Sequence, residues 1–292
     1  MQITRRTAMA LLLPTGVLGA SPRLLAAPAP AGAFAPLEAK TGGRLGICVL
    51  DGAGGIIAAH RAQERFAMCS TFKLLLAAAV LARVDEGRER LDRRITYTAA
   101  DPVGHSPVTR QNVAEGMTVG ELCAATVALS DNGAANLLLA TLGGPEGLTA
   151  FLRRTGDTVT RLDRWELALN SAIPGDPRDT STPAAMAGSI RRLVAGTVLK
   201  PASRTQLRDW LVATKTGDTR LRAGLPGWHV GDKTGTGNNG TVNDVGFALA
   251  PGAAPEADPV VMVVFLTKSR LDVEASSGII ADVARQVAGM VK

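Results

Sequence analysis

The spacing of apolar positions changes twice along the chain, which predicts strands near both ends and helices between them. Two short apolar runs, 44–51 (RLGICVLD) and 55–61 (GIIAAHR), flank a glycine-rich junction and are typical of a strand hairpin. From about residue 62 to 211 the apolar residues follow helical spacing. After residue 227 three strand-like runs return, and the chain ends in an amphipathic helix.

These patterns predict an α/β (α+β) fold with an antiparallel five-stranded sheet built from both termini and flanked by helices. We assign residues 32–61 and 212–292 to the sheet domain and residues 62–211 to an all-helical domain, with the active site between them. The segment from Leu74 to Ala82 is apolar on every helical face. It therefore predicts a helix buried at the centre of the helical domain.

The first 31 residues are typical of a signal peptide, with cleavage expected at about residue 26–33. They have a basic start and an apolar stretch that is too short to span a bilayer. Arg5 and Arg6 resemble a twin-arginine export signal, and an ordinary basic start is the alternative. We expect a periplasmic or secreted protein with no membrane association after cleavage.

Composition argues against nucleic-acid and metal chemistry. The formal charge is +6, but removing the arginines of the leader (Arg5, Arg6, Arg23) leaves 29 basic and 26 acidic residues without a basic run. With only ten aromatic residues and no interleaved basic surface, no nucleic-acid partner is expected. The three cysteines and three histidines are scattered without ligand spacing, so we predict buried free thiols and no metal.

Residues 231–240 (GDKTGTGNNG) contain the G-x-G-x-x-G spacing of a dinucleotide loop. Such a loop must open a helix, because the helix N-terminus holds the pyrophosphate. Here a strand-like run ending in proline follows. We therefore predict a hairpin turn at 237–240 and no cofactor, and we interpret Gly235 as leaving room for a substrate beside the strand.

Three short motifs carry possible chemistry. Ser70 and Lys73 form S-x-x-K, which places both side chains on one helix face. A lysine whose pKa is lowered by burial or by a second cation can activate a serine. Ser130-Asp131-Asn132 follows a helix, where an extended segment would direct residues 130 and 132 to one side. Lys233-Thr234-Gly235 lies in the strand before the hairpin turn.

In this order the three motifs resemble those of the class A serine β-lactamases, and the resemblance covers essentially the whole mature chain. A fourth segment, residues 164–179, resembles the Ω loop of that family. The resemblance implies that Glu166 and Asn170 hold the deacylating water and that Arg164 and Asp179 form the ion pair closing the loop.

The resemblance also implies a division of roles for hydrolysis of a small-molecule β-lactam. Ser70 would be the nucleophile, the backbone N–H groups of Ser70 and Thr236 would form the oxyanion hole, and Ser130 would relay a proton to the leaving nitrogen. Lys73 and Glu166 are alternative acylation bases. The substrate-binding residues implied by the resemblance are Asn132, Lys233, Thr234, Gly235 and Thr236.

Two further residues are candidates for substrate contact. Arg220 would support the substrate carboxylate as in relatives that lack an arginine on the following strand, and a solvated surface arginine is the alternative. His105 stands where family members often have an aromatic residue that stacks on the substrate at the rim of the site. The alternative interpretation, a solvated loop residue, is equally possible from the sequence.

Departures from the family limit the substrate class. Cys69 is present, but Gly237 replaces the bridging cysteine of some carbapenem-hydrolysing members, so carbapenem hydrolysis stays open. Leu167 follows Glu166 where many members have proline, after a bond that is cis in the family.

The main expectation is a monomeric enzyme that confers antibiotic resistance by hydrolysing penicillins and cephalosporins. A penicillin-binding D-Ala-D-Ala peptidase shares the three motifs but does not need Glu166 and Asn170. A β-lactam sensor would acylate without turnover and would be expected to carry a membrane-spanning segment.

Overall fold

The computed structural model describes residues 32–291. In chain order its strands are β1 (Arg44–Leu50), β2 (Ile56–His60), β3 (Phe66–Ala67), β4 (Arg94–Ile95), β5 (Met117–Thr118), β6 (Thr180–Ser181), β7 (His229–Gly237), β8 (Thr241–Leu249) and β9 (Val260–Thr267). Its helices are α1 (Ala35–Thr41), α2 (Phe72–Asp85), α3 (Val119–Ala128), α4 (Asn132–Leu142), α5 (Pro145–Arg154), α6 (Pro183–Val194), α7 (Pro201–Val212), α8 (Leu221–Gly224) and α9 (Val273–Ala288). Short 3₁₀ turns occur at Cys69–Thr71, Thr109–Gln111 and Ala168–Ser171.

The main sheet has five antiparallel strands in the order β2-β1-β9-β8-β7. The junction between the two ends of the chain is the β1–β9 pair, where Leu45 lies opposite Leu266. The predicted α+β fold with a sheet built from both termini is confirmed. Strand β7 lies at the edge of this sheet, and the pairs β3–β6 and β4–β5 form two small separate ladders.

Strand β9 shows why its sequence is apolar at every position. Val261, Val263 and Phe265 join the hydrophobic core shared with α2 and α6. The alternate residues of β9 join a second core with α1 and α9. Since successive side chains of a strand point to opposite faces, a sheet covered on both sides requires a continuous apolar run.

Helix α2 forms the centre of the helical region, as its sequence predicts. All residues from Phe72 to Ala82 are buried, including Lys73. Some of the surrounding helices begin with a polar side chain that accepts a backbone amide of the first turn. The predicted start of α6 is confirmed, because Thr182 Oγ1 accepts the amide of Ala185 and Pro183 occupies the first turn.

The predicted signal peptide, residues 1–31, lies outside the described residues. From residue 32 to residue 291, no helix is both long enough and apolar enough to cross a membrane. The three cysteines, Cys48, Cys69 and Cys123, are buried free thiols, as expected. Burial, chiefly, raises the pKa of the Cys69 thiol to about 12, so this thiol stays protonated at neutral pH.

Candidate active site

Ser70 lies in the 3₁₀ turn that leads into α2, with 9% of its surface exposed. Three hydrogen bonds fix the segment before it. Asn243 Nδ2 on β8 donates to Ala67 O (2.9 Å) and Met68 O (3.1 Å), and the amide of Met68 donates to Asp179 O (3.0 Å). The turn is therefore held between the sheet and the end of the Ω loop.

Lys73 lies one helical turn after Ser70, and its Nζ is surrounded by acceptors. It donates to Asn132 Oδ1 (2.5 Å) and Ser130 O (2.8 Å), and it lies 3.0 Å from Glu166 Oε1. Burial lowers the pKa of Lys73, and the charge of Glu166 opposes that shift. A buried lysine beside a carboxylate can hold or release a proton at low cost.

Lys233 approaches the same serine from the edge strand β7. Its Nζ donates to Ser130 Oγ (3.1 Å), and Lys73 Nζ lies 3.4 Å from that oxygen. The pKa of Lys233 is lowered to about 7, mainly by burial and next by the charge of Lys73. The hydroxyl of Ser130 thus bridges two buried amines, which is the geometry of a proton relay.

The predicted extended segment at 130–132 is wrong. Ser130 has a left-handed backbone (φ 59°), and Asn132 is the first residue of α4. The reason is Asp131, a fully buried cap whose carboxylate accepts the amide of Ala134 and is also bonded by Thr109. A tight turn into a helix, not strand alternation, brings Ser130 and Asn132 to the site.

Glu166 and Asn170 of the Ω loop face the same space. Asn170 Nδ2 donates to Glu166 Oε2 (2.5 Å), and the Glu166–Leu167 peptide bond is cis. Asn136 of α4 binds the backbone of Glu166 with both ends of its carboxamide, at 3.1 Å each. The sequence does not indicate Asn136 as a site residue, because its position on a helix does not show a contact with residue 166.

The ends of the Ω loop meet at Arg164 and Asp179. Arg164 Nε donates to Asp179 Oδ2 (2.5 Å), and the amides of Asp163 and Arg164 donate to Asp179 Oδ1. Arg164 Nη1 also donates to Ser171 Oγ (2.9 Å). The carboxylate of Asp179 is buried, so it depends on these donors for stabilisation.

Arg220 lies beneath the edge strand with 6% of its surface exposed. Its guanidinium donates to Gly235 O (3.0 Å), to Asn243 O (2.6 Å) and to Thr236 Oγ1 (2.8 Å). Burial lowers its pKa, opposed first by the charge of Asp244. The solvated-arginine alternative is wrong, since this side chain is buried against the K-T-G-T strand.

The interpretation of Gly235 as space for a substrate is wrong. A Cβ atom at this position would lie 2.7 Å from Met68 O and 3.2 Å from the amide of Thr71. The glycine therefore lets β7 approach the turn that carries the nucleophile. At Gly237 a Cβ would lie 2.5 Å from Cys69 Sγ, so these two positions are neighbours.

The predicted turn at 237–240 is confirmed, since β7 ends at Gly237 and β8 begins at Thr241. Of the remaining candidates, Thr234 Oγ1 lies 2.6 Å from Thr216 Oγ1, a residue that the motifs did not indicate. His105 is exposed, with one ring nitrogen 3.0 Å from Leu129 O, and its own carbonyl accepts the amide of Asn132.

Two buried acids on adjacent strands, Asp232 of β7 and Asp244 of β8, complete the electrostatics. Asp232 pairs with Arg222 (Nε to Oδ1, 2.5 Å). Burial, together with the charge of Asp232, raises the pKa of Asp244 well above its usual range. Lys233 and Arg220 place two cationic side chains at the edge strand β7, an arrangement that favours an anionic substrate. Residues 32–291 contain no group of three His, Cys, Asp or Glu side chains that could hold a metal ion.

The fold and the site define a serine hydrolase, with a nucleophile turn, two buried lysines and a loop-borne carboxylate. Comparison with known proteins gives its family. The family described as beta-lactamase enzyme family matches residues 30–291. β-Lactamase AST-1 of Nocardia asteroides is 51% identical over 255 residues, covering 87% of this chain and 81% of the relative. β-Lactamase FAR-1 of Nocardia farcinica is 48% identical, with 87% and 80% covered.

Solved structures agree. An ancestral class A β-lactamase (GNCA) is 63% identical with a TM-score of 0.85, covering 88% of this chain and 97% of the other. The putative class A β-lactamase PenP of Rhodopseudomonas palustris is 55% identical with a TM-score of 0.84, covering 87% and 97%. The chain therefore belongs to the β-lactamase enzyme family, among its class A members.

Proposed function

We propose that this protein hydrolyses the amide bond of penicillins and cephalosporins through an acyl-enzyme on Ser70 and thereby confers resistance to them. The observation that carries the proposal is the placement of Glu166 and Asn170 beside Lys73. A D-Ala-D-Ala peptidase does not need this pair, and an acylated sensor would have no use for it. The pair supplies what turns an acylated serine into a turnover enzyme.

In the acylation step, Ser70 Oγ attacks the lactam carbonyl and its proton passes to the Lys73–Glu166 pair. These two groups are 3.0 Å apart, so the proton can be shared between them. The developing oxyanion is stabilised by the backbone N–H groups of Ser70 and Thr236. The C–N bond of the ring then breaks, Ser130 Oγ delivers its proton to the nitrogen, and Lys73 returns to Ser130 the proton taken from Ser70, which leaves Glu166 ionised for the next step.

The substrate is oriented by groups on two sides of Ser70. Lys233, Thr234 and Thr236 bind its carboxylate, with the Arg220 guanidinium supporting the Thr236 hydroxyl from below. Asn132 already accepts from Lys73 through Oδ1, which leaves its NH₂ group to donate to the side-chain carbonyl of the substrate.

In the deacylation step, Glu166 takes a proton from a water that attacks the ester, and Asn170 orients that water. Asn170 donates to Glu166 through Nδ2, while its buried Oδ1 has no hydrogen-bond donor within residues 32–291. This oxygen can therefore accept from the water. Attack forms a new C–O bond, the ester bond to Ser70 breaks, and the proton returns to Ser70 Oγ.

Mass spectrometry of the purified enzyme mixed with benzylpenicillin tests the proposal. Wild type should turn the substrate over without a lasting adduct, and Glu166→Ala should accumulate a covalent adduct at Ser70. Glu146→Ala, at an exposed position on α5, is the matched control and should behave as wild type. A lasting adduct on wild type would favour the sensor, and no adduct on any variant would reject the assignment of Ser70.

We also propose export through residues 1–31 and a monomeric mature enzyme. The basic and then apolar leader supports export. N-terminal sequencing of the enzyme recovered from the periplasm should begin within about residues 27–34, and light scattering should give the mass of one chain. Cytoplasmic retention of the full-length chain would reject the export proposal.

A further inference from the structure

The turn between β7 and β8 contacts the Ω loop at three successive carbonyl groups. The amide of Asn238 donates to Asn170 O (2.9 Å). Asn239 Nδ2 donates to Ser171 O (3.0 Å) and lies 3.3 Å from Ala172 O. One carboxamide thus binds the loop immediately after the residue that orients the deacylating water.

The turn is anchored from its other side by the end of β9. The amide of Lys268 donates to Asn239 O (2.8 Å), and the amide of Ser269 donates to Gly240 O (3.2 Å). At Gly240 a Cβ would lie 2.2 Å from Ser269 O, which shows how closely the two segments approach. Asn239 therefore joins the Ω loop to the rigid sheet.

The residue type at 239 suits this contact in two ways. Its backbone is left-handed (φ 54°), a conformation that asparagine adopts more readily than most other side chains. Its NH₂ group carries two donors, so one side chain can serve two carbonyls.

Besides the Asn238 amide on Asn170 O and Arg164 Nη1 on Ser171 Oγ, two asparagine side chains hold the catalytic end of the loop. Asn136 fixes the backbone of Glu166 to α4, and Asn239 fixes residues 171–172 to the sheet. Between these points, the Asn170–Glu166 hydrogen bond spans 2.5 Å. A shift of the 171–172 backbone would move the Asn170 carboxamide away from Glu166 without disturbing Ser70 or Lys73.

We propose that Asn239 is a positioning residue for deacylation. By binding the carbonyls of Ser171 and Ala172, it keeps the Asn170 side chain within hydrogen-bond distance of Glu166. The inference rests on the proposed β-lactam hydrolysis. It predicts that a loss of the Asn239 side chain slows hydrolysis of the acyl-enzyme and leaves its formation unchanged.

The test compares Asn239→Gly and Asn239→Asp with wild type. Glycine keeps the left-handed backbone and removes the donor. Aspartate keeps the shape and places a carboxylate opposite two carbonyl oxygens. Asn238→Ala is the matched control, because it keeps the backbone amide of the turn and alters only an exposed side chain. Stopped-flow measurement with a penicillin gives the acylation and deacylation rate constants separately.

For Asn239→Gly the deacylation rate constant should fall about 3- to 10-fold, the effect of one or two lost hydrogen bonds. kcat and KM should fall together, and kcat/KM should stay within about twofold, because acylation is untouched. The deacylation rate constant should fall further in Asn239→Asp and should match the wild-type value in Asn238→Ala. A general loss of folding would instead lower kcat/KM and the active fraction together.

Deacylation at the wild-type rate in Asn239→Gly would overturn the proposal, as would an equal loss of both rate constants. Hydrogen exchange of the peptide covering residues 166–173 gives a readout that does not need substrate. It should be faster in Asn239→Gly than in wild type and Asn238→Ala. If wild type fails to hydrolyse penicillin, the proposed function fails, while the exchange result still decides whether Asn239 holds the loop.

Discussion

The two halves of the active site are built on different kinds of support. Ser70 lies in the 3₁₀ turn before α2, Lys73 lies on α2, and Lys233 lies on a strand of the main sheet, and all three are buried. Glu166 and Asn170 lie on the Ω loop, which is held by polar contacts at its ends and flanks and packs a single apolar side chain, Leu169, into the hydrophobic core.

This difference in support has a physical consequence for acylation and another for deacylation. The lysines need burial, because desolvation lowers their pKa values and makes them usable as proton carriers. In the proposed mechanism the loop leaves room for a water beside Glu166, so its inner side cannot be filled completely by apolar side chains. We therefore expect changes in the regular half to affect acylation or stability, and changes in the loop contacts to affect deacylation.

The largest effect is expected from Lys73→Met. Removing the proton carrier should slow acylation by about 10²- to 10⁴-fold. Stability should fall, because methionine leaves the Glu166 carboxylate buried without its charged partner. Pre-steady-state acylation rates and urea unfolding measure the two quantities. Acylation at the wild-type rate in this variant would show that Lys73 is not the proton carrier.

Asp179→Asn tests the closure of the loop. It removes the charge that Arg164 and two amides bind, so we expect about 2–4 kcal/mol of destabilisation. Displacement of Glu166 should slow deacylation by up to about 100-fold. Asp282→Asn, which removes an exposed i,i+3 ion pair on α9, should change neither quantity appreciably. Deacylation at the wild-type rate in Asp179→Asn would contradict the dependence of the loop on this ion pair.

The pH dependence of kcat/KM tests the role of Lys233, which faces Lys73, Asp232, Asp244 and Arg220. Its pKa is about 7 in the free enzyme, so raising the pH above 7 removes its charge. We expect kcat/KM for a penicillin to fall about tenfold by pH 9 as the carboxylate loses a charged partner.

Lys233→Arg should remove this fall of kcat/KM at alkaline pH, since guanidinium stays charged.

The effect of Lys233 on folding stability changes with pH in the opposite direction to its effect on kcat/KM. Between about pH 7 and the ordinary lysine value of 10.5, the unfolded chain binds more protons at Lys233, so this residue makes the folded state more stable as the pH rises. A kcat/KM that stays constant to pH 9 in wild type would count against charge loss at Lys233.

The smallest effect is expected from Thr118→Ala at the start of α3. Thr118 and Glu121 form a reciprocal capping box. Its loss should cost about 1 kcal/mol of stability. Both rate constants should stay at wild-type values, because this cap supports a regular element remote from the loop. Thermal unfolding and steady-state kinetics check the prediction, and a selective deacylation defect would break the division between the two halves.

The sequence predicted much of the regular half because its signals are local. The continuous apolar run of α2 indicated burial, and the glycine and asparagine residues at 237–240 indicated the turn between β7 and β8. The chemical character of Ser70, Lys73 and Glu166 could also be inferred from the motifs and the resemblance.

Other features could be recognised only in the folded structure, as two incorrect predictions illustrate. Residues 130–132 are predicted as extended, yet Asp131 caps a helix there by accepting the amide of Ala134, and its carboxylate is held by Thr109, 22 residues earlier in the chain. Gly235 is predicted to leave room for a substrate, yet its missing side chain accommodates Met68. In both cases a neighbour distant in sequence contributes to the local structure.

The sequence alone determined the α+β arrangement, the buried central helix and the set of reactive side chains, because periodicity and residue chemistry are local properties. Only the tertiary structure decided how those side chains act together. Asn136 meets Glu166, Arg220 reaches Thr236, and Asn239 holds the carbonyls after Asn170. Each of these contacts is a hydrogen bond a few ångströms long, and its geometry exists only after the sheet, the helices and the loop have packed together.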